Sequence, residues 1–177
     1  MILNTRILLI SALTCGLFLL TTVDVTAQKR SSRSRRAATA AKNKADLKKG
    51  AEDVAIQIKN ISKFVFVLGG VVKGIEDIDK DVKAGKASRA VARKNEEFKS
   101  NVRASVSGIT TGLILLEKDF RTKPALRKYL LDIEGVASRG SVAEKFASTG
   151  RFTDSGKELL MVVERLADTL VAMPSSK

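Results

Sequence analysis

The chain has 177 residues, a length typical of a single domain, and its composition already favours helix. It contains no Trp, two Pro and 5% aromatic residues, whereas 44% of its residues are hydrophobic, which argues against wholesale disorder. His is absent and Cys15 is the only cysteine. These absences exclude histidine catalysis, histidine metal ligation and any Ser-His triad.

The net charge of +13 is concentrated near the amino terminus. Residues 28–50 carry nine Lys or Arg residues against Asp46 alone, a net of +8, whereas residues 51–177 carry a net of +5. The plain interpretation of such a cluster is a solvated linker, and the functional one is contact with an anionic surface or polymer: lipid headgroups, acidic polysaccharide or nonspecifically bound nucleic acid. The nine cations are Lys29, Arg30, Arg33, Arg35, Arg36, Lys42, Lys44, Lys48 and Lys49.

Residues 1–27 have the pattern of a secretory signal peptide. Arg6 precedes an apolar run from Ile7 to Leu20, and small residues precede a cleavage site between Ala27 and Gln28. The pattern predicts export to the periplasm or the extracellular space. The alternative is an uncleaved amino-terminal membrane anchor, because the basic cluster follows the apolar run and positive charge tends to stay cytoplasmic.

Residues 28–43 combine charge repulsion with a lack of large apolar side chains, so we expect a basic, disordered arm. The rest of the chain, residues 44–174, is predicted to be an all-α domain. Its expected architecture is an antiparallel up-and-down bundle of four main helices, of which two are long, one is interrupted and one is short.

The first predicted helix runs from about Lys44 to Lys83 and carries one apolar stripe at alternating steps of four and three, with one lapse at Asp79. Its middle, Phe64 to Val72, is continuously apolar or Gly, which predicts a segment buried on all sides and too short to cross a bilayer. The stripe consists of Leu47, Ala51, Val54, Ile58, Ile61, Val65, Leu68, Val72, Ile75 and Val82.

Gly85 is predicted to end this helix, and a short turn then returns the chain antiparallel as a second helix from about Arg89 to Phe120. The expected hairpin places Phe98 opposite Gly70 and Gly74, and Phe64 opposite Gly108. We therefore predict that each aromatic ring fills a notch left by glycines on the other helix. An open cavity at these glycines is the alternative.

Beyond Pro124, a third helix is expected to break at Gly135 and again at Gly140. A capping-box spacing at Ser141 then predicts a short new helix. The same spacing at Ser155 predicts the start of the last helix after a loop at residues 153–156. The apolar stripe of that helix comprises Leu159, Val163, Leu166, Leu170 and Met173.

Acidic residues at 77, 79 and 81 open like a calcium loop, but Val82 stands where such a loop needs Gly. We interpret them as members of exposed helical ion pairs, Asp79 with Lys83 and Glu76 with Lys80. No cofactor and no metal ligand set is predicted.

The sequence therefore favours an exported, non-enzymatic helical protein that acts as a spacer or interaction module. Its basic arm would associate with anionic surfaces, and its helix seams could bind a protein partner or a second copy. The alternatives are a carrier that holds an apolar ligand in the bundle core and an anchored membrane protein.

Overall fold

A computed structural model describes residues 25–174, and the side chains of residues 32–174. Residues 1–24 of the predicted signal peptide therefore lie outside the described part of the chain. The chain divides after Arg36 into two units. All the packing described below lies within the second of these, Ala37–Lys177.

The predicted all-α class is confirmed, because the residues described form helices and turns without a strand. There are two long helices, α1 (Val25–Lys83) and α2 (Arg89–Thr122). A 3-10 turn (Arg127–Tyr129) and the single-turn helix α3 (Leu130–Ile133) follow. The chain continues with α4 (Val136–Ser148) and α5 (Phe152–Ala172).

Helix α1 begins at Val25 and not near Lys44, so the segment expected to be a disordered arm is helical. The expectation rested on the absence of anything for this segment to pack against. Ala, Lys and Arg nevertheless have high intrinsic helix propensity, and they extend the helix without a packed face. Every described side chain from residue 32 to residue 42 is exposed.

The turn between α1 and α2 follows the predicted chemistry. Gly85 has a positive φ of 69°, and the amide of Lys86 donates to the carbonyl of Asp81 at 2.8 Å, which closes the end of α1. Ser88 caps α2, because its hydroxyl accepts a hydrogen bond from the amide of Val91 at 3.3 Å. Helix α2 consequently returns alongside α1.

The apolar stripe of α1 faces the core at most of its predicted positions: Val54 and Ile61 are completely buried, whereas Val82 at the end is 42% exposed. Helix α4 packs on both α2 and α5. The largest fully buried side chains, drawn from every part of the second unit, are Phe120, Phe152, Ile61, Leu113, Leu126, Ile133, Leu159, Leu166, Val54, Val106, Val136 and Val162.

Two predicted helix boundaries in the second half are wrong. Gly140 lies inside α4, where the hydroxyl of Thr110 on α2 donates to its carbonyl oxygen at 3.0 Å. A Cβ at Gly140 would lie 3.0 Å from Leu113, so the glycine permits close approach of α4 to α2 and does not break the helix. Ser141 is also inside α4, and its hydroxyl donates to the carbonyl of Ala137.

The last helix likewise begins earlier than predicted. Gly150, with φ of 78°, ends α4, and α5 starts at Phe152, so residues 153–156 are helical and not a loop. Ser155 is completely buried inside α5 and caps nothing. Phe152, which is 2% exposed, anchors this first turn in the core, and burial of the ring outweighs the weaker capping signal.

Candidate functional site

The basic cluster lies in the amino-terminal half of α1. Arg33, Arg35, Arg36, Lys42 and Lys44 have exposed side chains. Arg33, Arg35 and Arg36 belong to the first unit of the chain, and Lys42 and Lys44 belong to the second. Lys29 and Arg30 belong to α1 by backbone, and their side chains lie outside the described part.

Two of the nine predicted cations are already paired with carboxylates. Lys49 Nζ lies 2.8 Å from Asp53 Oδ2, and Lys48 Nζ lies 3.8 Å from Glu52 Oε1. The hydrogen bonds that Lys49 Nζ donates to the Asp53 carboxylate raise the pKa of Lys49. Glu52 and Asp53 lie one turn beyond the basic segment, so a charge count that stopped at residue 50 missed them. Glu52 and Asp53 therefore offset part of the charge at the carboxyl-terminal end of the cluster.

The predicted aromatic rings do not fill the glycine notches between α1 and α2. A Cβ added at Gly70, Gly74 or Gly108 would have no atom within 4 Å, and Phe98 is 49% exposed. Gly112 is instead approached by Gln57, whose Nε2 would lie 2.8 Å from such a Cβ. The helices thus lie side by side as expected, but the rings lie at the edge of an open groove.

This groove has a volume of about 580 Å³ and is mostly apolar. Phe64 and Phe98 form its aromatic walls, and Gly70 and Gly74 leave room on the α1 side. Asn101 and Ser105 supply polar groups along α2. A volume of this size falls in the range of ligand clefts, which is about 300–1,000 Å³. The arrangement can accommodate an apolar chain with one polar end.

A polar cluster around the buried side chain of Asn95 lies at one end of the groove. Asn95 is 2% exposed, and its Nδ2 donates to Asp79 Oδ1 at 2.8 Å and to the carbonyl of Ile75 at 3.4 Å. Lys99 Nζ also lies 2.5 Å from Asp79 Oδ1 and 2.8 Å from Glu96. Burial lowers the pKa of Lys99, but the hydrogen bonds to Asp79 and Glu96 outweigh it and raise that pKa.

These contacts correct the predicted ion pairs of α1. Asp79 pairs with Lys99 on α2, and it is Asp77 that makes the intrahelical pairs, with Lys73 at 3.2 Å and with Lys80 at 3.3 Å. Hydrogen bonds from Lys73 and then Lys80 lower the pKa of the Asp77 carboxyl. Spacing alone did not distinguish the two aspartates, because Asp79 is turned toward α2 and Asp77 toward solvent.

The middle of α1 is far more exposed than its sequence predicted. Phe66 is 84% exposed, Val67 54% and Val71 43%, so the expectation that residues 64–72 are buried on all sides is wrong. Leu68 and Val72 are the buried residues of this run, and Phe64 and Val65 are partly buried against the core. Between Ser32 and Lys83, α1 is long and apolar enough to cross a membrane by length and composition, a property that a signal sequence or a soluble core helix can share.

Within residues 32–174 no group of three or more carboxylates or other metal-ligating side chains comes together. Met173 is 5% exposed in the core, and Met161 lies on the surface with its sulfur 3.1 Å from Arg139 Nη1. Comparison with protein-family models, with curated proteins and with solved structures found no match to the chain. Functional inference therefore depends on the two features already described, the basic helix and the open groove.

Proposed function

We propose that the protein is an exported, non-enzymatic interaction module that associates with anionic surfaces through the basic half of α1. The observation that supports this most directly is the exposure of Arg33, Arg35, Arg36, Lys42 and Lys44 on a helix with no acidic residue among them. Each Lys or Arg near an anionic membrane contributes about 1 kcal/mol of attraction at moderate ionic strength. Together the five would contribute about 5 kcal/mol of attraction.

The distribution of these cations favours electrostatic contact over insertion. A helix that lies in a membrane interface has one apolar face, whereas residues 32–46 include no large apolar residue. The contact should therefore weaken steeply with salt, because ions screen and displace surface charges.

The test is cosedimentation with vesicles that contain phosphatidylglycerol, over a range of salt concentrations. We expect a variant with the five exposed cations changed to Gln to lose binding by at least a hundredfold at low salt. The matched control changes five exposed cations elsewhere, Lys83, Lys86, Arg89, Lys118 and Lys145, and should bind within a few-fold of the parent. Equal losses in the two variants would show that net charge, not the helix, governs binding.

The open groove supports a second candidate function, the binding of an apolar ligand between α1 and α2. Its aromatic walls and its volume of about 580 Å³ suit a single acyl chain, whose polar end could reach Asn101 or Ser105. This is a surface groove, so the ligand would keep one side in solvent or against a partner.

A fluorescent fatty-acid displacement assay tests this second function. Ser105→Phe adds a ring inside the groove and should abolish binding. Ala104→Phe adds the same ring at the neighbouring exposed position of α2, away from the groove lining, and should leave binding unchanged. Binding that survives Ser105→Phe would place the ligand elsewhere.

A further inference from the structure

Helix α1 carries a second stripe of residues, on the side opposite its core stripe. Its members recur at steps of four, three, four, four, three and four, which is the spacing of a helix that pairs with another helix. Phe66 is its largest member and is 84% exposed. The stripe consists of Lys59, Lys63, Phe66, Gly70, Gly74, Asp77 and Asp81.

The chemistry of this outer stripe is sorted along the helix. Two lysines occupy its amino-terminal end and two aspartates its carboxyl-terminal end, with Phe66 and two glycines between them. Within residues 32–174, Lys59, Lys63 and Asp81 take part in none of the ion pairs. The two glycines have nothing within 4 Å of an added Cβ. The stripe thus offers a ring, two notches and unpaired charges of both signs.

We propose that this stripe pairs with the same stripe of a second copy of the chain, in an antiparallel two-fold dimer centred on Gly70. A two-fold axis there places Lys63 opposite Asp77 of the other copy and Lys59 opposite Asp81. It also places Phe66 over Gly74, with Gly70 against Gly70 at the axis. Each dimer gains four ion pairs and two rings seated in glycine notches, along about 33 Å of helix.

The charges select this arrangement over its rivals. A parallel pair would set lysine against lysine and aspartate against aspartate, which opposes association. Insertion of the same face in a bilayer would bury Asp77 and Asp81 beside apolar lipid, where carboxylates are costly. Asp77 already forms ion pairs with Lys73 and Lys80 of its own helix. Lys63 of the second copy would add a third cation, and the three together keep the carboxylate charged.

Close approach of the two helices explains the glycines of this face. Small residues let helix backbones approach, and among the described residues nothing lies within 4 Å of a Cβ added at Gly70 or Gly74. Each costs about 1 kcal/mol of helix propensity relative to Ala. A second copy supplies the packing that the monomer lacks.

A charge-swap series measured by sedimentation velocity, from micromolar to millimolar protein, tests the arrangement. Lys63→Asp and Asp77→Lys should each weaken the dimer at least tenfold, because each sets like charges opposite one another. The double variant should restore the dissociation constant to within about threefold of the parent. Circular dichroism of each variant checks that the monomer remains folded.

Disulfide trapping gives an independent readout in a Cys15→Ser background. Gly70→Cys should form a covalent dimer on mild oxidation, since two residues at a two-fold axis between close helices come within the Cα separation of a disulfide, about 4.4–6.8 Å. Ala104→Cys, exposed on α2, should remain monomeric. A protein that stays monomeric to millimolar concentration, a dimer insensitive to both single swaps, or monomers that bind neutral vesicles through Phe66 would each overturn the proposal.

Discussion

The free energy of unfolding should respond in opposite directions when Gly108 on α2 and Gly140 on α4 are each changed to Ala. Gly108 lies in α2 with nothing within 4 Å of an added Cβ. Gly108→Ala should therefore stabilise the protein by about 0.5–1 kcal/mol, because Ala removes the cost of glycine in a helix interior and restricts the unfolded chain. Gly140 lies in α4, where the same Cβ would lie 3.0 Å from Leu113 Cδ1 and 3.4 Å from the Cα of Thr110.

The contact at Gly140 cannot relax cheaply. Ordinary carbon–carbon contacts lie at about 3.5–4.0 Å, so the completely buried side chain of Leu113 would have to shift to admit a methyl group. Overpacking of this kind costs about 1–3 kcal/mol, from which the gain in helix propensity of about 1 kcal/mol is to be subtracted. Gly140→Ala should consequently lie about 1–3 kcal/mol below Gly108→Ala in stability.

Urea unfolding followed by far-UV circular dichroism measures this difference, with all variants at one protein concentration so that any association contributes equally to each. The slope of the transition should be the same in both variants, because neither changes the surface exposed on unfolding. If Gly140→Ala stabilised the protein as much as Gly108→Ala, the close approach of α4 to α2 would be refuted.

Three further substitutions test other contacts by the same unfolding assay. Asp79→Asn should destabilise the protein by about 2 kcal/mol, because Lys99, with 12% of its side chain exposed, loses a charge-assisted hydrogen-bond partner. A double-mutant cycle with Lys99→Met should give a coupling energy of about 1 kcal/mol. A coupling energy near zero would contradict the pairing of Asp79 with Lys99. Gly135→Ala should cost about 1 kcal/mol, since Gly135 has φ of 91°, and an unchanged midpoint would argue against that backbone conformation. Phe120→Ala should cost about 3–5 kcal/mol because the ring is completely buried, and a loss below 1 kcal/mol would place this ring at the surface.

The sequence predicts which helices form more accurately than it predicts the residues at which they begin and end. The stripe from Leu47 to Ile75 predicted α1 and its core face, and Gly85 predicted the end of that helix, because both signals are local. Gly140 and Ser155 were misread because their roles depend on what lies across the interface, Leu113 for the first and the buried environment of α5 for the second. Spacing along one helix carries no information about that neighbour.

The same limit applies to the candidate site. Charge counting located the basic segment but not the pairing of Lys48 and Lys49 with residues of the next turn. The short turn between α1 and α2 predicts that Phe98 lies near Gly70 and Gly74. It does not predict whether the ring packs on these glycines or lies beside them. That choice depends on the separation of α1 and α2, which the side chains of the whole interface set together. The open groove is visible only in three dimensions.

The buried amide of Asn95 has a consequence for how the hairpin can vary. It joins the carbonyl of Ile75 and the carboxylate of Asp79, two groups one turn apart on α1, while its own Oδ1 has no donor. A shift of α2 along α1 by one turn would remove the hydrogen-bond partners of this amide and of the Lys99 ammonium. Each group left without a partner would cost roughly 1–3 kcal/mol. Helices α1 and α2 can therefore be lengthened only by insertions of equal length in both, placed so that the hydrogen bonds of Asn95 are kept. The amide of Asn95 thus fixes the register of α2 against α1.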